Sequence, residues 1–482
     1  MNNYIALNVK TKVMCPIHGS IDLLSNELEV VDHPAFQRLR DISQNDILNY
    51  IFVGAKHDRF AHSIGTMHVA SRMFQALFDS CARNHNFHYD ALQELQDDAI
   101  YLLRIVRLSA LMHDTGHGVF SHLSESSERY QDLMKASGLF TKLWSHGGHE
   151  GVGSRLYPKL PTHIKHEHYS VRMAHMIMSD VKMDDGMVMD VLSIMDTTSP
   201  VLSQRFVDAC ERLWPLFSGD VMFNNDNRIT KIHKLLCQLI SSEMDCDKAD
   251  YLLRDAYYSG VSFGHYDLDA LLNNITVSYA PGEHWFGLTI SKKGLGTFRQ
   301  FINARFAMYS NAYGNKSSKG LESLMQMAIN EALDDDDFCK QIIKMTSDPS
   351  QYIWFTDSFM WSHFRSQALN RKKTYGVQLL NRQLPIYLGE VQGASVSSVE
   401  NLKQSLADQY QVDIRTIIVN KQSVSLNVFA SDFDEIRCRD LLKVSHSERL
   451  LPLSDFLQYP FANEVSQVIN NKLVTFKCHL MS

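Results

Sequence analysis

The stretch that most restricts what this chain can become is residues 97–122, "DDAIYLLRIVRLSALMHDTGHGVFSH". Apolar side chains recur at helical intervals as far as residue 113, and the acidic start suits the positive end of a helix dipole. The run leads directly into His113, Asp114, His117 and His122, interleaved with Gly116 and Gly118. Histidine is neither a good core residue nor a cheap surface filler, so the cluster calls for a chemical reason. His113-Asp114 falls at the C-terminal end of the predicted helix. Adjacent helical residues project in different directions, so the imidazole and the carboxylate can reach one ion from two sides. That donor pair suits a borderline first-row metal better than calcium. The glycines let the backbone turn tightly and the histidines converge on a pocket.

Further ligands must come from elsewhere in the chain. Upstream, "HDRFAHSIG" offers His57 and His62, the latter opening a helical pattern over 61–79. Downstream, "SSEMDCDKADYLLRD" offers Asp245, Asp247, Asp250 and Asp255 on a predicted helix. On that helix Asp247, Tyr251 and Asp255 share one stripe, with Lys248 beside it. Arg305, Tyr309 and Tyr313 repeat the same spacing in a helix predicted over 294–316. A cation with two aromatics on one face suits a phosphate tail plus a sugar or base. The run "DDDD" at 334–337 reads as a solvated helix end, since nothing nearby supplies histidine.

At 482 residues, 45% hydrophobic and 21% charged, the composition is that of a globular protein with a large core. The net charge of −7 excludes a global basic footprint for nucleic acid and leaves local patches open. Eight cysteines with no Cys-x-x-Cys pair read as reduced and mostly buried. The N-terminus carries no secretory pattern, and no apolar run reaches the roughly 18 residues of a membrane span. A cytoplasmic protein with no membrane partner is expected. Short strands or turns over 1–32 lead into a helix near "HPAFQRLRDISQ". Helices are predicted over 169–182, 232–258 and 319–333, and a loop over 146–168. After about residue 372, "YGVQLLNRQLPIYLGEV" and "VDIRTIIVN" turn β-rich. The fold class is mainly α: a helical domain over 1–370 and a smaller α+β lobe over 371–482 with a regulatory or oligomerisation role.

The blocks "DHPAFQRLRDISQ", "FVGAKHDRFAHSIG", "HDTGHGVFSH", "KHEHYSVRM", "DCDKADYLLRDAYYSGV" and "NARFAMYSNAYGNK" occur in this order. Together they resemble the dNTP triphosphohydrolases of the HD phosphohydrolase superfamily, in the branch holding the vertebrate SAM-and-HD-domain enzyme and bacterial relatives. The likeness is dense over 10–320 and begins so near the N-terminus that no preceding SAM domain is expected. It implies an HD-superfamily helical core and a divalent metal (iron, manganese, zinc or magnesium) on His62, His113, Asp114 and Asp247. Magnesium would accompany the nucleotide. It implies attack at the α-phosphorus, with His122 as general acid and Glu125, where relatives carry aspartate, beside it. His117 and His166 would contact phosphates, with Glu167 orienting His166. Lys248, Arg305 and Arg59 would bind phosphate, Gln44 and Asp255 the 3′-hydroxyl, and Tyr251 would exclude a 2′-hydroxyl. Tyr313 would line the pocket, and Tyr309 stands where relatives carry histidine. Lys12, Asp32, Gln37 and Arg40 match positions that hold a nucleotide effector, GTP or a dNTP, between subunits of a homotetramer. The alternative for these four is an ordinary amphipathic turn with surface arginines. A role in dNTP depletion during phage defence also follows from the resemblance. Two other readings stay open: a phosphodiesterase acting on another nucleotide, and a nucleotide-gated sensor or single-strand nucleic-acid binder. The long segment 123–165, with His146, His149 and His163, reads as a lid, a regulatory loop or a subunit contact.

Overall fold

The computed structural model describes residues 5–145, 163–198, 200–219, 227–280, 285–392, 396–424, 443–446, 449–452 and 473–481. Its centre is the Gln96–Met112 helix. From Leu102 to Met112 every residue except Arg104 is buried, because helices pack on it from several sides: Arg59–Asn84, Asp185–Met195, Gln204–Ser218 and Arg228–Ile240. A helix enclosed in this way must be apolar nearly all round. Its buried Arg107 is therefore paired. The guanidinium donates to both oxygens of buried Glu27 at 2.6 and 2.7 Å and to the Asp22 carbonyl at 2.7 Å, which ties the N-terminal segment to the core.

The Cys246–Ser259 helix crosses the Arg59–Asn84 helix at Gly65. A Cβ at Gly65 would lie 2.0 Å from Asp250 Oδ1 and 2.2 Å from an Arg254 nitrogen. Only glycine permits this approach, and the approach brings Asp247 and Asp250 to His62 on the preceding turn. A single helix over 232–258 is not observed. Arg228–Ile240 ends and Cys246–Ser259 begins afresh, because the Asp245 carboxylate caps the second helix, accepting from Lys248 N at 2.8 Å and Ser242 N at 2.9 Å. The predicted 294–316 helix runs as an α-helix over Leu295–Ala307 and then widens into a π-helical turn over Met308–Tyr313. Near "HPAFQRLRDISQ" the helix is short, Pro34–Gln37, and tightens into a 3-10 turn at Arg38–Asp41. The predicted loop ends early, since a helix spans His166–Asp180. Asp335 caps the Asp336–Thr346 helix, so the acidic run is a helix start.

Three small sheets accompany the helices. β1 (Thr11–Cys15) and β2 (Gly19–Leu23) form a hairpin. β3 (Ile275–Ala280) and β4 (Trp285–Ser291) pair antiparallel; β4 then takes β7 (Lys443–His446) in parallel, and β7 takes β8 (Arg449–Pro452). Strand pairing thus crosses the composition change near residue 370. β5 (Ile386–Gln392), β9 (Leu473–Leu480) and β6 (Ile417–Val424) form the third sheet, against the Val396–Tyr410 helix. Leu406, Ala407, Ile417 and Cys478 make its own small core. The described cysteines are free thiols, and Cys15, Cys81, Cys210, Cys246 and Cys478 are buried. Cys438, His146 and His149 lie outside the described residues. No described helix is long and apolar enough to cross a membrane.

Candidate active site

His113 caps the end of the central helix, and the chain then turns back on itself. Thr115 Oγ1 donates to the Met112 carbonyl at 2.8 Å, and His117 N donates to the Asp114 carbonyl at 3.1 Å. A Cβ at Gly116 would lie 2.2 Å from Ser170 N, so glycine lets this turn press against the His166–Asp180 helix.

The turn brings four side chains from distant parts of the chain together. His62 Nε2 lies 3.0 Å from Asp247 Oδ1 and 3.7 Å from Asp114 Oδ2. His113 Nε2 lies 3.4 Å from Asp114 Oδ1 and 3.6 Å from Asp247 Oδ1. One donor atom each from His62, His113 and Asp247 lies within 4.8 Å of the others, a group that could hold an ion, and Asp114 stands at its edge with a different oxygen towards each imidazole. The tautomers fit too. His113 Nδ1 donates to the Ala110 carbonyl at 2.7 Å, leaving Nε2 buried and without a hydrogen-bond partner. His62 Nδ1 donates to Asp250 Oδ2 at 2.8 Å. A carboxylate or carbonyl behind each imidazole fixes its ring and strengthens it as a ligand. Asp250 is itself held by His18 Nε2 at 2.6 Å and by Arg254 at 2.8 and 2.9 Å. It therefore sits one layer behind the cradle, as does Asp245, which is the helix cap. Burial pushes His62 down, but Asp247 and Asp250 more than reverse this and raise it to about 10. Burial likewise opposes charge on Asp114 and Asp247, yet His113 and its neighbours hold both carboxyls below the usual range. A metal ion binding here displaces the protons that the two carboxylates hold on the imidazoles.

A second group of histidines adjoins the cradle. His117 Nε2 lies 3.4 Å from Asp114 Oδ1. Its ring stacks on His166 with centroids 3.8 Å apart and 17° between planes, and His122 meets both rings edge-on. One ring nitrogen of each of the three lies within 4.8 Å of the others. Glu125 joins two of them, His122 and His166. One oxygen lies 3.1 Å from His166 Nδ1 and 3.4 Å from His122 Nδ1; the other accepts from His166 N at 2.7 Å. Burial pushes the Glu125 carboxyl up, but the hydrogen bonds with His122 and His166 outweigh it and hold the group well below the usual range. Burial, then Arg59 and His166, push His117 well below the usual histidine range. Glu167 is mostly exposed and stands 3.5 Å from His166 Nδ1; the orienting carboxylate is Glu125, because it approaches from the buried side.

Both groups border a cavity of about 660 Å³ whose wall includes Asp114, Asp247, His117, His122, His166 and Arg59. Arg59 is buried, pairs with Asp114 and donates to Ser121 Oγ at 2.7 Å. Lys248 also lines the cavity, and its Nζ lies 2.6 Å from Asp245 Oδ2. Arg305 lines it with buried Nε and Nη1 that have no partner, and Gln44 with a buried, unpartnered Oε1. Tyr251, Tyr309 and Tyr313 complete this side. Tyr251 and Tyr309 hydroxyls are 3.4 Å apart, and Tyr313 donates to Asp255. The other Asp255 oxygen faces His57 Nε2 at 2.7 Å, which removes His57 from the metal candidates.

Two groups unnoticed in the sequence hold the turn in place. Buried Asp357 accepts from Ser43 N at 2.9 Å and Phe120 N at 2.7 Å, and Phe120 and Ser121 both carry left-handed φ, 51° and 48°. Buried Arg38 donates to the His117 carbonyl at 2.8 Å. Neither residue sits in a cluster of like chemistry, so only the fold reveals them. The four effector candidates lie elsewhere. Lys12 pairs with Asp22 at 3.2 Å, Gln37 donates to the Val31 carbonyl at 2.7 Å, and Arg40 donates to Gln37 at 2.8 Å and covers the Phe60 ring. Asp32 borders a shallow recess with Glu29, His33, Asp180 and Lys182 that the other three do not line.

No protein-family model matches the chain. It is 25% identical over 433 residues to a deoxynucleoside triphosphate triphosphohydrolase SAMHD1 homolog of Dictyostelium discoideum, covering 87% of this chain and 68% of that protein. It is 24% identical over 441 residues to deoxynucleoside triphosphate triphosphohydrolase SAMHD1 of Xenopus laevis, covering 87% and 61%. A protein of Methanocaldococcus jannaschii is 26% identical over 313 residues, with only 48% of its length matched. The chain therefore spans from about half to two thirds of these curated relatives. Among solved structures, a phosphohydrolase from Bacteroides thetaiotaomicron superposes with a TM-score of 0.61 at 18% identity, covering 98% of this chain and 100% of that one. The mainly α fold is that of this phosphohydrolase, and the sequence is similar to HD-type dNTP triphosphohydrolases.

Proposed function

We propose that this chain is a metal-dependent hydrolase that cleaves deoxynucleoside triphosphates to deoxynucleoside and inorganic triphosphate. The observation that carries the reading is the cavity that joins Asp114 and Asp247 of the cradle to Arg305, whose Nε and Nη1 are buried without a hydrogen-bond partner. A buried cation with free donors, across a cavity from a group of residues that could hold a metal ion, suits a phosphorylated ligand that carries or meets a metal.

His62, His113, Asp114 and Asp247 would hold a divalent cation: iron, manganese, zinc or magnesium. When bound, such an ion supplies Lewis acidity at the α-phosphorus and a hydroxide-like water near neutral pH. Lys248, Arg305 and Arg59 offset phosphate charge. His117 and His166 donate to phosphate oxygens from a stacked pair. The leaving 5′-oxygen needs a proton, and His122 supplies it. Glu125 holds His122 and His166 by Nδ1, which leaves each Nε2 for the ligand. Tyr251 packs against the sugar and excludes a 2′-hydroxyl, while Gln44 and Asp255 hold the 3′-hydroxyl. Lys12, Asp32, Gln37 and Arg40 would hold a nucleotide effector, GTP or a dNTP, between subunits of a homotetramer.

The test is to incubate metal-loaded protein with each dNTP, alone and with GTP, and resolve the products by chromatography. Deoxynucleoside with intact triphosphate is expected. Monophosphate with pyrophosphate, or no product in any mixture, overturns the reading.

A further inference from the structure

The Lys316–Ala332 helix meets two different parts of the molecule. Ser318, Lys319, Leu321 and Glu322 line the cavity. Lys316, Gly320 and Ser323, spaced i, i+4 and i+7, face the C-terminal sheet of β5, β9 and β6 instead. β9 brings His479, which is fully buried. Its Nε2 donates to the Lys316 carbonyl at 2.8 Å. Its Nδ1 accepts from Asn420 Nδ2 of β6 at 3.2 Å, so both ring nitrogens are committed and the tautomer is fixed. Asn420 Nδ2 also donates to the Lys319 carbonyl at 2.9 Å, and its Oδ1 accepts from Ser323 Oγ. A Cβ at Gly320 would lie 2.7 Å from His479 Cδ2, so glycine is what lets β9 come this close to the helix. The cradle is built differently, on the Arg59–Asn84 helix, against which the Gln96–Met112 and Cys246–Ser259 helices both pack.

We infer that Asn420 and His479 are positioning residues for the cavity: through them the C-terminal lobe sets where the Lys316–Ala332 helix holds Ser318, Lys319 and Glu322 against a ligand. The inference rests on the nucleotide reading above only for the choice of ligand. Neither residue lines the cavity. Both bond to main-chain carbonyls, so they fix the helix itself and not the rotamer of one side chain. Groups that bind a ligand must be held to within about 0.5 Å, by supporting residues whose own rotamers are locked. Asn420 locks His479 in this sense, and the close approach at Gly320 leaves the helix little room to slide. The metal ligands stand on other helices, so loosening the lobe should reach the ligand wall and spare the cradle.

Affinity is measured by calorimetry with each of the four dNTPs on manganese-loaded protein carrying His122→Ala, which removes the proposed proton donor and keeps ligand through the titration. Bound manganese and deuterium uptake of the backbone are read on the same samples. Adding Asn420→Ala with His479→Ala should weaken the nucleotide roughly tenfold and leave bound manganese unchanged. Exchange over residues 316–324 should quicken while that over 97–112 stays slow. His479→Gln alone keeps a donor for the Lys316 carbonyl and should stay within about twofold of the starting affinity. Gly320→Ala removes no polar group, yet its methyl pushes the helix from His479 and should weaken the nucleotide in the same way. Unchanged nucleotide affinity in the double variant overturns the inference. So does a loss matched by a fall in bound manganese, which a general loosening of the fold would give. The expected loss in a protein that hydrolyses no dNTP with His122 intact supports the inference and overturns only the reaction proposed above. Binding of no nucleotide before the lobe is altered overturns both.

Discussion

In the metal cradle the imidazoles are backed by partners: His62 leans on Asp250, Asp250 on His18 and Arg254, and His113 on the Ala110 carbonyl, while His113 Nε2 and Arg254 Nη1 stay unpartnered. Across the same cavity Arg305, Gln44, Asp46 and Ser318 hold buried polar atoms with no partner at all. Each such group costs about 1–3 kcal/mol while it stays unmet. The contrast separates two kinds of preorganisation. The cradle is fixed by the fold before any ion arrives. The opposite wall holds its donors and acceptors at a cost that only a ligand repays.

The comparison can be broken by substitution. The largest effect is expected from His113→Ala with Asp114→Ala, which should lower bound metal and turnover to background while circular dichroism stays unchanged; retained metal would show that the cradle lies elsewhere. Asp250→Asn should weaken metal binding about 10–100-fold. It also strands buried Arg254, so the unfolding free energy should fall by about 3–5 kcal/mol. Metal titration and urea unfolding read the two effects separately. Arg305→Met reverses the pattern. Nucleotide affinity should fall roughly tenfold, yet the fold should lose no stability, because the lost guanidinium had unmet donors. A marked drop in melting temperature would remove the distinction between the walls.

The smallest effect concerns Glu125, whose folded-state carboxyl is depressed by His122 and His166. A depressed acid stabilises the fold above its unfolded value, and the contribution disappears as pH falls through the folded value. Glu125→Gln should therefore cost stability at pH 7, by up to about 1 kcal/mol. The gap to the parent protein should close as pH drops below the ordinary glutamate value of 4.5. Unfolding at several pH values follows it; a gap that widens in acid would place the hydrogen bonds elsewhere.

The sequence made the cradle legible because its chemistry is written in rare residues. His62, the His113-Asp114 pair and Asp247 are conspicuous wherever they stand, and the glycines of the turn announce a close approach. Asp250 was visible too, one helical turn from Asp247, but its place behind His62 depends on how closely two helices cross at Gly65. Asp357 and Arg38 were not legible. A lone acid or base gives no local sign that it will bind backbone groups contributed from far away in the chain. The break at residues 241–245 follows from a cap that competes with the apolar periodicity on either side. The π-helical turn at Met308–Tyr313 has no signature in spacing, since Arg305, Tyr309 and Tyr313 read equally well as an α-helical stripe.

The parallel seam between β4 and β7 bears on how the molecule is made. More than 150 residues separate the two strands, which meet at Thr289–Lys443. During synthesis β4 waits with one side of its backbone unsatisfied until the late hairpin emerges. Such an open edge invites pairing between neighbouring chains. Versions that lack only residues 443–452 should associate through that edge even though β9 and every cradle and cavity residue are still present.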